Sequence, residues 1–433
     1  MNFQDLRSFL ETLKSRGLLI EIGSPVSTHL EAASILAQND GTAVLLSNIK
    51  EHPGFMVAGG IGSRRDHFAL ALGVPSDRLL FSMKEALEHP SEPEILQTAP
   101  WMDEEASSLE ELPFLKHWPG DAGAYSTASV MFLMTPEGEN ASFHRLLRLD
   151  GKRMVARLVE GRGAHRAWIS AEGDIPIAIA IGLPPHILLA ASMSPPGWLF
   201  EMHLANALSP TPLVEAPISR IPVPAAAEIV IEGRLTHQME KEGPFVDLTG
   251  TMDIVRLQPV IEVDAIHHRK SPIYQALLPG MKEHRLLMGM PREPTIFEAV
   301  SKVAKCTNVY ITPGGCSWLH AVVQIEKQQP EDGRNAGLAA FEGHPSLKHV
   351  AVVDDDVDIF SIEDVEWAIA TRFQADRDLI IRSNMPSSSL DPSAKHVPGE
   401  KSKGSKMIID ATIPWDTPTG PSSPEDFERI IKA

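Results

Sequence analysis

Apolar residues at Phe3, Leu6, Phe9, Leu10 and Leu13 recur at helical spacing, and residues 18–22 that follow read as a short strand. A second helix is predicted to start at Ser27 or Thr28, both good N-caps, and to end at the Asn39-Asp40-Gly41 turn before a strand at 43–46. The first hundred residues therefore read as an α/β segment. An acidic, Pro-containing stretch at 88–119 marks a boundary, after which strands dominate at 154–159, 175–182, 228–232 and 254–266. Only two helices, near 186–192 and 200–208, interrupt them, a pattern that suggests a barrel or barrel-like sheet. The last third alternates again. A helix near 295–305 precedes strands at 308–311, 319–325 and 349–353, the last running into Asp354-Asp355-Asp356. Ser361 and Asp364 open a further helix through Trp367 and Ile369, residues 383–406 read as a mobile Ser/Pro/Lys-rich loop, and a final helix begins at Ser423-Pro424-Glu425.

Length divides this pattern into domains, because single hydrophobic cores stop growing well below 433 residues. The expected limits are 1–110 for an N-terminal α/β domain, 111–300 for a strand-rich domain and 301–433 for a C-terminal α/β domain, giving an α/β (α+β) multidomain protein. A formal charge of −18 argues against nucleic acid or an anionic membrane as partner. Cys306 and Cys316 are the only cysteines, no CxxC pair or secretory signal is present, and no apolar run is long enough to span a bilayer. These features suit a reduced cytoplasm. Gly59-Gly60-Ile61-Gly62-Ser63 fits neither the dinucleotide nor the P-loop spacing and reads as a strand-to-helix turn.

The stretch richest in chemistry is Glu242-Gly243-Pro244-Phe245-Val246-Asp247, where two carboxylates flank a Gly-Pro turn and an aromatic ring. Paired acids let one carboxyl stay protonated near neutrality while its partner is ionised. A solvated hairpin turn is the plain alternative, since these are ordinary turn residues. The surroundings tip the balance. Upstream lie the strand Val223-Pro224-Ala225 through Glu228-Ile229-Val230 to Glu232-Gly233 and the segment Asn140-Ala141-Ser142-Phe143-His144-Arg145. Downstream lie Asp354-Asp355-Asp356 and Gly404-Ser405-Lys406. In this order the motifs resemble the UbiD-type decarboxylases, enzymes that use prenylated flavin mononucleotide, and the resemblance runs along the whole chain.

That resemblance implies a split β-barrel in the middle domain that holds the flavin, and a network of Arg145, Glu242 and Asp247 that handles the proton, with Asp247 as donor. It places Asn140, His165 and Glu201 on a divalent metal, Mn²⁺ or Mg²⁺, with K⁺ as a further ion; His144 stands nearby as a competing ligand. Asn140 also belongs to the cofactor site, with Ala191, Ser192, Met193 and Lys406, the last meeting the flavin phosphate. The substrate implied is a small α,β-unsaturated or (hetero)aromatic carboxylic acid, with His284, Arg292 and Trp318 as candidates to line its pocket. A flavin prenyltransferase as cofactor supplier and a homodimer or higher homo-oligomer are implied too. Other classes are a flavin reductase or oxidoreductase on a split barrel, and a non-catalytic flavin-binding subunit. The acidic turn speaks against both, because a reductase needs a nicotinamide platform and a carrier needs no proton donor.

Overall fold

The chain divides into two compact units, Met1–Leu287 and Met288–Ala433. The computed structural model describes residues 4–397, 400–417, 420–421 and 424–427. The first helix, Leu6–Ser15, starts where Asp5 accepts the Ser8 N–H, and it buries Leu6, Phe9, Leu10 and Leu13; Phe3 lies outside the described residues. Its apolar face covers a four-stranded sheet in the order Leu19–Ile22, Ala43–Leu46, Met56–Gly59 and Ile273–Ala276. The fourth strand returns from the far end of the unit, so this sheet is completed only after the strand-rich region has been traversed. The second helix spans Glu31–Gln38 and starts later than expected. Ser27 spends its hydroxyl on Glu51 at 2.5 Å, and its N–H goes to Glu31, so neither caps the helix.

The strand-rich region forms one nine-stranded sheet, antiparallel throughout, where the resemblance implied a split barrel. Its centre pairs Ile175–Ile181 with the long strand Ile229–Glu242, which pairs in turn with Arg256–His268. Ile175, Ile177, Ile179 and Ile181 alternate into the core, while Ala178 and Ala180 occupy the opposite, equally buried face. The sheet bulges between Glu232 and Gly233, where a Cβ on Gly233 would lie 2.2 Å from the Glu262 carbonyl oxygen, so only glycine fits. The two acids of this strand motif are scaffold. Glu228 takes Arg7, Arg269 and the Ile273 N–H, while Glu232 takes Ser219, the Ile218 N–H and His267. Helices Pro185–Ser192 and Glu201–Leu208 pack on each other and on the strand Gly138–Phe143. The first of these is apolar all round and sunk in the interior.

The second unit is built on a mixed five-stranded sheet in the order Lys305–Ile311, His320–Glu326, His349–Asp354, Lys403–Asp410 and Leu379–Pro386. The helix expected over 295–305 is Glu293–Ser301, and Lys305 already opens the first strand. The loop expected over 383–406 is shorter. Its ends pair as antiparallel strands, with Ile381 opposite Met407 and Arg382 opposite Lys406. Leu379–Pro386 is an edge strand with largely exposed side chains, and its Ser383-Asn384 pair and closing Pro386 are what read as loop. Asp354 and Asp356 both bind the fully buried Arg372, so the acidic triplet is a strand-end lock for the helix Ile362–Arg372. The expected final helix is described only as the short 3-10 turn Pro424–Phe427, while Ser423 and residues 428–433 lie outside the described residues. Among the described residues, no helix is long and apolar enough to cross a membrane.

Candidate active site

The strand Ile229–Glu242 ends on its buried acid, and the chain then folds back as the ribbon Phe245–Val246 against Met252–Asp253. Gly243 permits the reversal, with φ +93° and the Ile254 carbonyl 3.0 Å from where a Cβ would sit. Asp121 fixes the ribbon by accepting the Val246 N–H at 3.3 Å on one oxygen and the Trp118 N–H at 2.9 Å on the other. Arg145 enters from the segment between the strands Gly138–Phe143 and Leu146–Arg148. Its guanidinium lies over the Phe245 ring, 4.5 Å from the centroid.

That guanidinium organises three carboxylates. Nε and Nη2 donate to the two oxygens of Glu242, each at 2.9 Å; Nη1 donates to Asp247 at 2.9 Å; Nη2 also reaches Asp253 at 2.8 Å. Glu242 further accepts the Tyr125 hydroxyl at 3.2 Å, and Asp253 accepts Arg256 at 2.7 Å. Asp247 receives one arginine N–H, plus the Leu248 N–H at 2.6 Å on its other oxygen. The acids thus differ in kind. Glu242 is 0% exposed and gripped from two sides, Asp253 is 14% exposed and shared by two arginines, and Asp247 is 19% exposed with the fewest charged donors.

The electrostatics follow the contacts. Burial works to lower the Arg145 pKa, but Glu242, Asp247 and Asp253 outweigh it and hold the group above its ordinary value. Burial pushes the Asp253 carboxyl up, yet the bonds from Arg256 and Arg145 bring it below the usual range. His284 joins the group from the first turn of the helix Lys282–Gly289. Burial pulls its imidazole below the ordinary value while the Asp247 carboxylate works against that. Its Nδ1 accepts the Gly280 N–H at 3.1 Å, so in the neutral ring the proton sits on Nε2.

A second cluster lies along the strand Gly138–Phe143. Glu201, first residue of its helix, accepts Asn140 Nδ2 at 2.9 Å and the Ala141 N–H at 2.8 Å. Burial raises its pKa to about 7, and among the described residues no Lys or Arg stands within ion-pair distance of it. Ser142 Oγ donates to Asn140 Oδ1 at 3.2 Å and lies 3.0 Å from His144 Nε2. His144 is thereby tied into the chain, and burial lowers its pKa to about 4, leaving it neutral. His165 stands in the helix Gly163–Ser170, its Nδ1 accepting the Gly161 N–H at 3.2 Å, with no hydrogen bond to Asn140 or Glu201. Yet Gly163 of that helix abuts the Asn140 side chain.

Ala191 and Met193 are buried at the end of the helix Pro185–Ser192, with the Ser192 hydroxyl turned back to the Leu189 carbonyl. Lys406, Arg292 and Trp318 belong to the second unit. Lys406 is buried, donates to the Pro345 carbonyl at 2.6 Å and lies over Phe341; burial lowers its pKa to about 8. Trp318 is buried against His344 and donates to Ser388. Arg292 lies in the short 3-10 turn Met290–Arg292. The glycine-rich turn 59–63 directs the N–H groups of Gly60 and Gly62 at the Glu283 carboxylate, so its amides are already engaged, and burial raises Glu283 to about 7.

Asp253, Arg256 and Tyr125 escaped the sequence reading. A hairpin reading of the acidic turn, with its bend at Leu248-Thr249-Gly250-Thr251, could have brought Asp253 back opposite Phe245. Nothing in the spacing points to Tyr125.

Three family profiles, those for the N-terminal, Rift-related and C-terminal domains of 3-octaprenyl-4-hydroxybenzoate carboxy-lyase, match residues 10–87, 89–282 and 285–411. The chain is 40% identical over 437 residues to anhydromevalonate phosphate decarboxylase of Methanothermobacter thermautotrophicus, covering 99% of this chain and 100% of the relative. The Aeropyrum pernix protein of the same name is 36% identical, covering 97% and 95%. Among solved structures, the UbiD-class enzyme HmfF from Pelotomaculum thermopropionicum in complex with FMN superposes with TM-score 0.92 at 35% identity, covering 99% of this chain and 97% of that one. An evolved dimeric form of that enzyme in complex with prFMN gives TM-score 0.87 at 33% identity, covering 98% and 99%.

Proposed function

The chain belongs to the UbiD carboxy-lyase family, and on that premise we propose that it is a prenylated-FMN-dependent decarboxylase with Asp247 as its proton donor. The full-length likeness to anhydromevalonate phosphate decarboxylases supports a dehydrated, phosphorylated acid of the kind their name denotes as the substrate. The single observation that carries the reading is the Arg145 guanidinium spanning Glu242 and Asp247 on one hairpin.

When bound, the prenylated flavin supplies the electron sink that loss of CO2 from an sp² carbon demands. The chain's own groups handle the proton. Glu242 has Arg145 on both oxygens and no exposure, so it holds the guanidinium in place. Asp253 is held ionised by two arginines. Asp247 is the acid left to cycle: it keeps one arginine contact for orientation and is the most accessible of the three. Neutral His284 beside it can pass a proton through Nε2.

Protein made without a flavin prenyltransferase is expected to be inactive and to regain turnover on reconstitution with the prenylated cofactor and Mn²⁺. Full turnover with plain FMN would sink the cofactor assignment.

The Glu201 cluster fits a divalent cation, because a buried carboxylate without a cationic partner is costly until a cation meets it. Asn140 and Glu201, with His144 or His165, would hold Mn²⁺ or Mg²⁺ through mixed oxygen and imidazole ligands. Glu201→Gln is expected to weaken retention of metal and flavin more than it lowers the melting temperature. Bound metal and flavin per chain after gel filtration, measured also for His144→Ala and His165→Ala, identifies the histidine. Retention of metal by every variant would remove the metal site.

A further inference from the structure

Arg157 carries a largely buried positive charge whose one ion pair is a long contact to a mostly exposed acid. It follows the strand Arg153–Ala156, where its N–H donates to the Arg145 carbonyl and its own carbonyl meets His144 Nδ1, so its backbone is fixed between the two clusters described above. Its side chain is only 14% exposed. Of the guanidinium, Nη1 alone is engaged: it donates to the Leu158 carbonyl and lies 3.8 Å from Glu160, a mostly exposed acid. Nε and Nη2 have no hydrogen bond among the described residues.

The acids nearby are already spent. Asp253 gives one oxygen to Arg145 and Arg256 and the other to the Ile254 N–H. Glu242 is filled by Arg145 and Tyr125. Burial and the fields of Arg256 and Arg145 press Arg157 below its ordinary pKa, but a guanidinium does not shed its proton in a protein. Arg145 and Arg256 each hold a carboxylate at 2.9 Å or less, whereas Arg157 reaches its only acid, Glu160, at 3.8 Å. The ties to the Leu158 carbonyl and to Glu160 both fall on Nη1 and leave Nε and Nη2 without a protein partner among the described residues. Burying a charge with so weak a pair is costly, and a bound anion removes the cost.

We propose that Arg157, backed by Arg256, anchors a phosphomonoester, its free Nε and Nη2 forming the planar fork that accepts two phosphate oxygens. That geometry is arginine's advantage over lysine at phosphates. The inference rests on the decarboxylase reading above, in which two phosphates are at hand: the flavin's and the substrate's.

FMN and riboflavin differ only in the phosphate. Titrating each into flavin-free protein by fluorescence quenching, for wild type, Arg157→Gln and Arg157→Lys, isolates the phosphate contribution without turnover. The expected result is a wild-type preference for FMN that falls about tenfold or more in the Gln variant, the scale of a lost charge-assisted hydrogen bond. The Lys variant, which keeps charge but loses the fork, retains part of it. If the preference persists while KM for the phosphorylated acid rises about tenfold with kcat little changed, the anchored phosphate is the substrate's and the assignment of Arg157 stands. Unchanged preference together with unchanged KM overturns it. Melting temperatures check the fold, and should the Gln variant fail to fold, the Lys variant reports the same two ratios. Wild type that binds neither flavin would instead sink the underlying cofactor reading.

Discussion

Asp247→Asn is expected to keep the fold and the bound cofactor while losing at least about a hundredfold in turnover, the usual scale for removing a general acid. Asparagine preserves the volume and an oxygen for the Arg145 Nη1 bond at 2.9 Å, so the network should close around it much as before. What disappears is the titratable proton. The assay is turnover together with hydrogen incorporation into the product in D2O. A near-normal rate would transfer the role to Glu242 or to water, and the geometry ranks Glu242 as a poor substitute, since it has no exposed surface and both its oxygens are held by Arg145.

Arg145→Met should have the largest effect on stability. Methionine fills much of the same space and keeps contact with Phe245, but it leaves Glu242 wholly buried with only the Tyr125 hydroxyl as partner. Breaking a buried pair by removing one member costs about 3–5 kcal/mol, because the remaining charge is uncompensated. Urea unfolding should show a lower midpoint with unchanged slope. Adding Glu242→Leu should restore a large part of the loss, since removing both charges relieves the burial penalty. A single variant within about 1 kcal/mol of wild type would show that Glu242 finds water or a proton instead. Activity should be lost in both, as neither can orient Asp247.

Much of this was legible in the chain. The motif order gave the family, and the acidic hexapeptide led to the centre on which three of the predicted residues, Arg145, Glu242 and Asp247, converge. Local signals held for elements whose apolar period is undisturbed, such as Leu6–Ser15 and Ile175–Ile181. They failed where a side chain or backbone was claimed from afar: Ser27 looks like a cap but is taken by Glu51, and residues 383–406 read as one loop although both ends are strand, Met385 pairing with Gly404 and Pro386 with Lys403. Edge strands tolerate polar residues and Pro, so the end of one mimics a loop.

The sequence by itself determined which residue types could do the chemistry and in what order they occur, because periodicity, turns and motif spacing are properties of neighbours along the chain. Only the tertiary structure decided which of the three acids keeps the fewest charged partners and the most exposure. That choice depends on Arg145 and Arg256 sharing Asp253, on Tyr125 reaching Glu242 across more than a hundred residues, and on the 19% exposure left to Asp247. Acidity and charge neutralisation are set by burial and by partners brought from distant strands, as they are for Glu201 and Arg157, and neither is encoded in the spacing of the residues concerned.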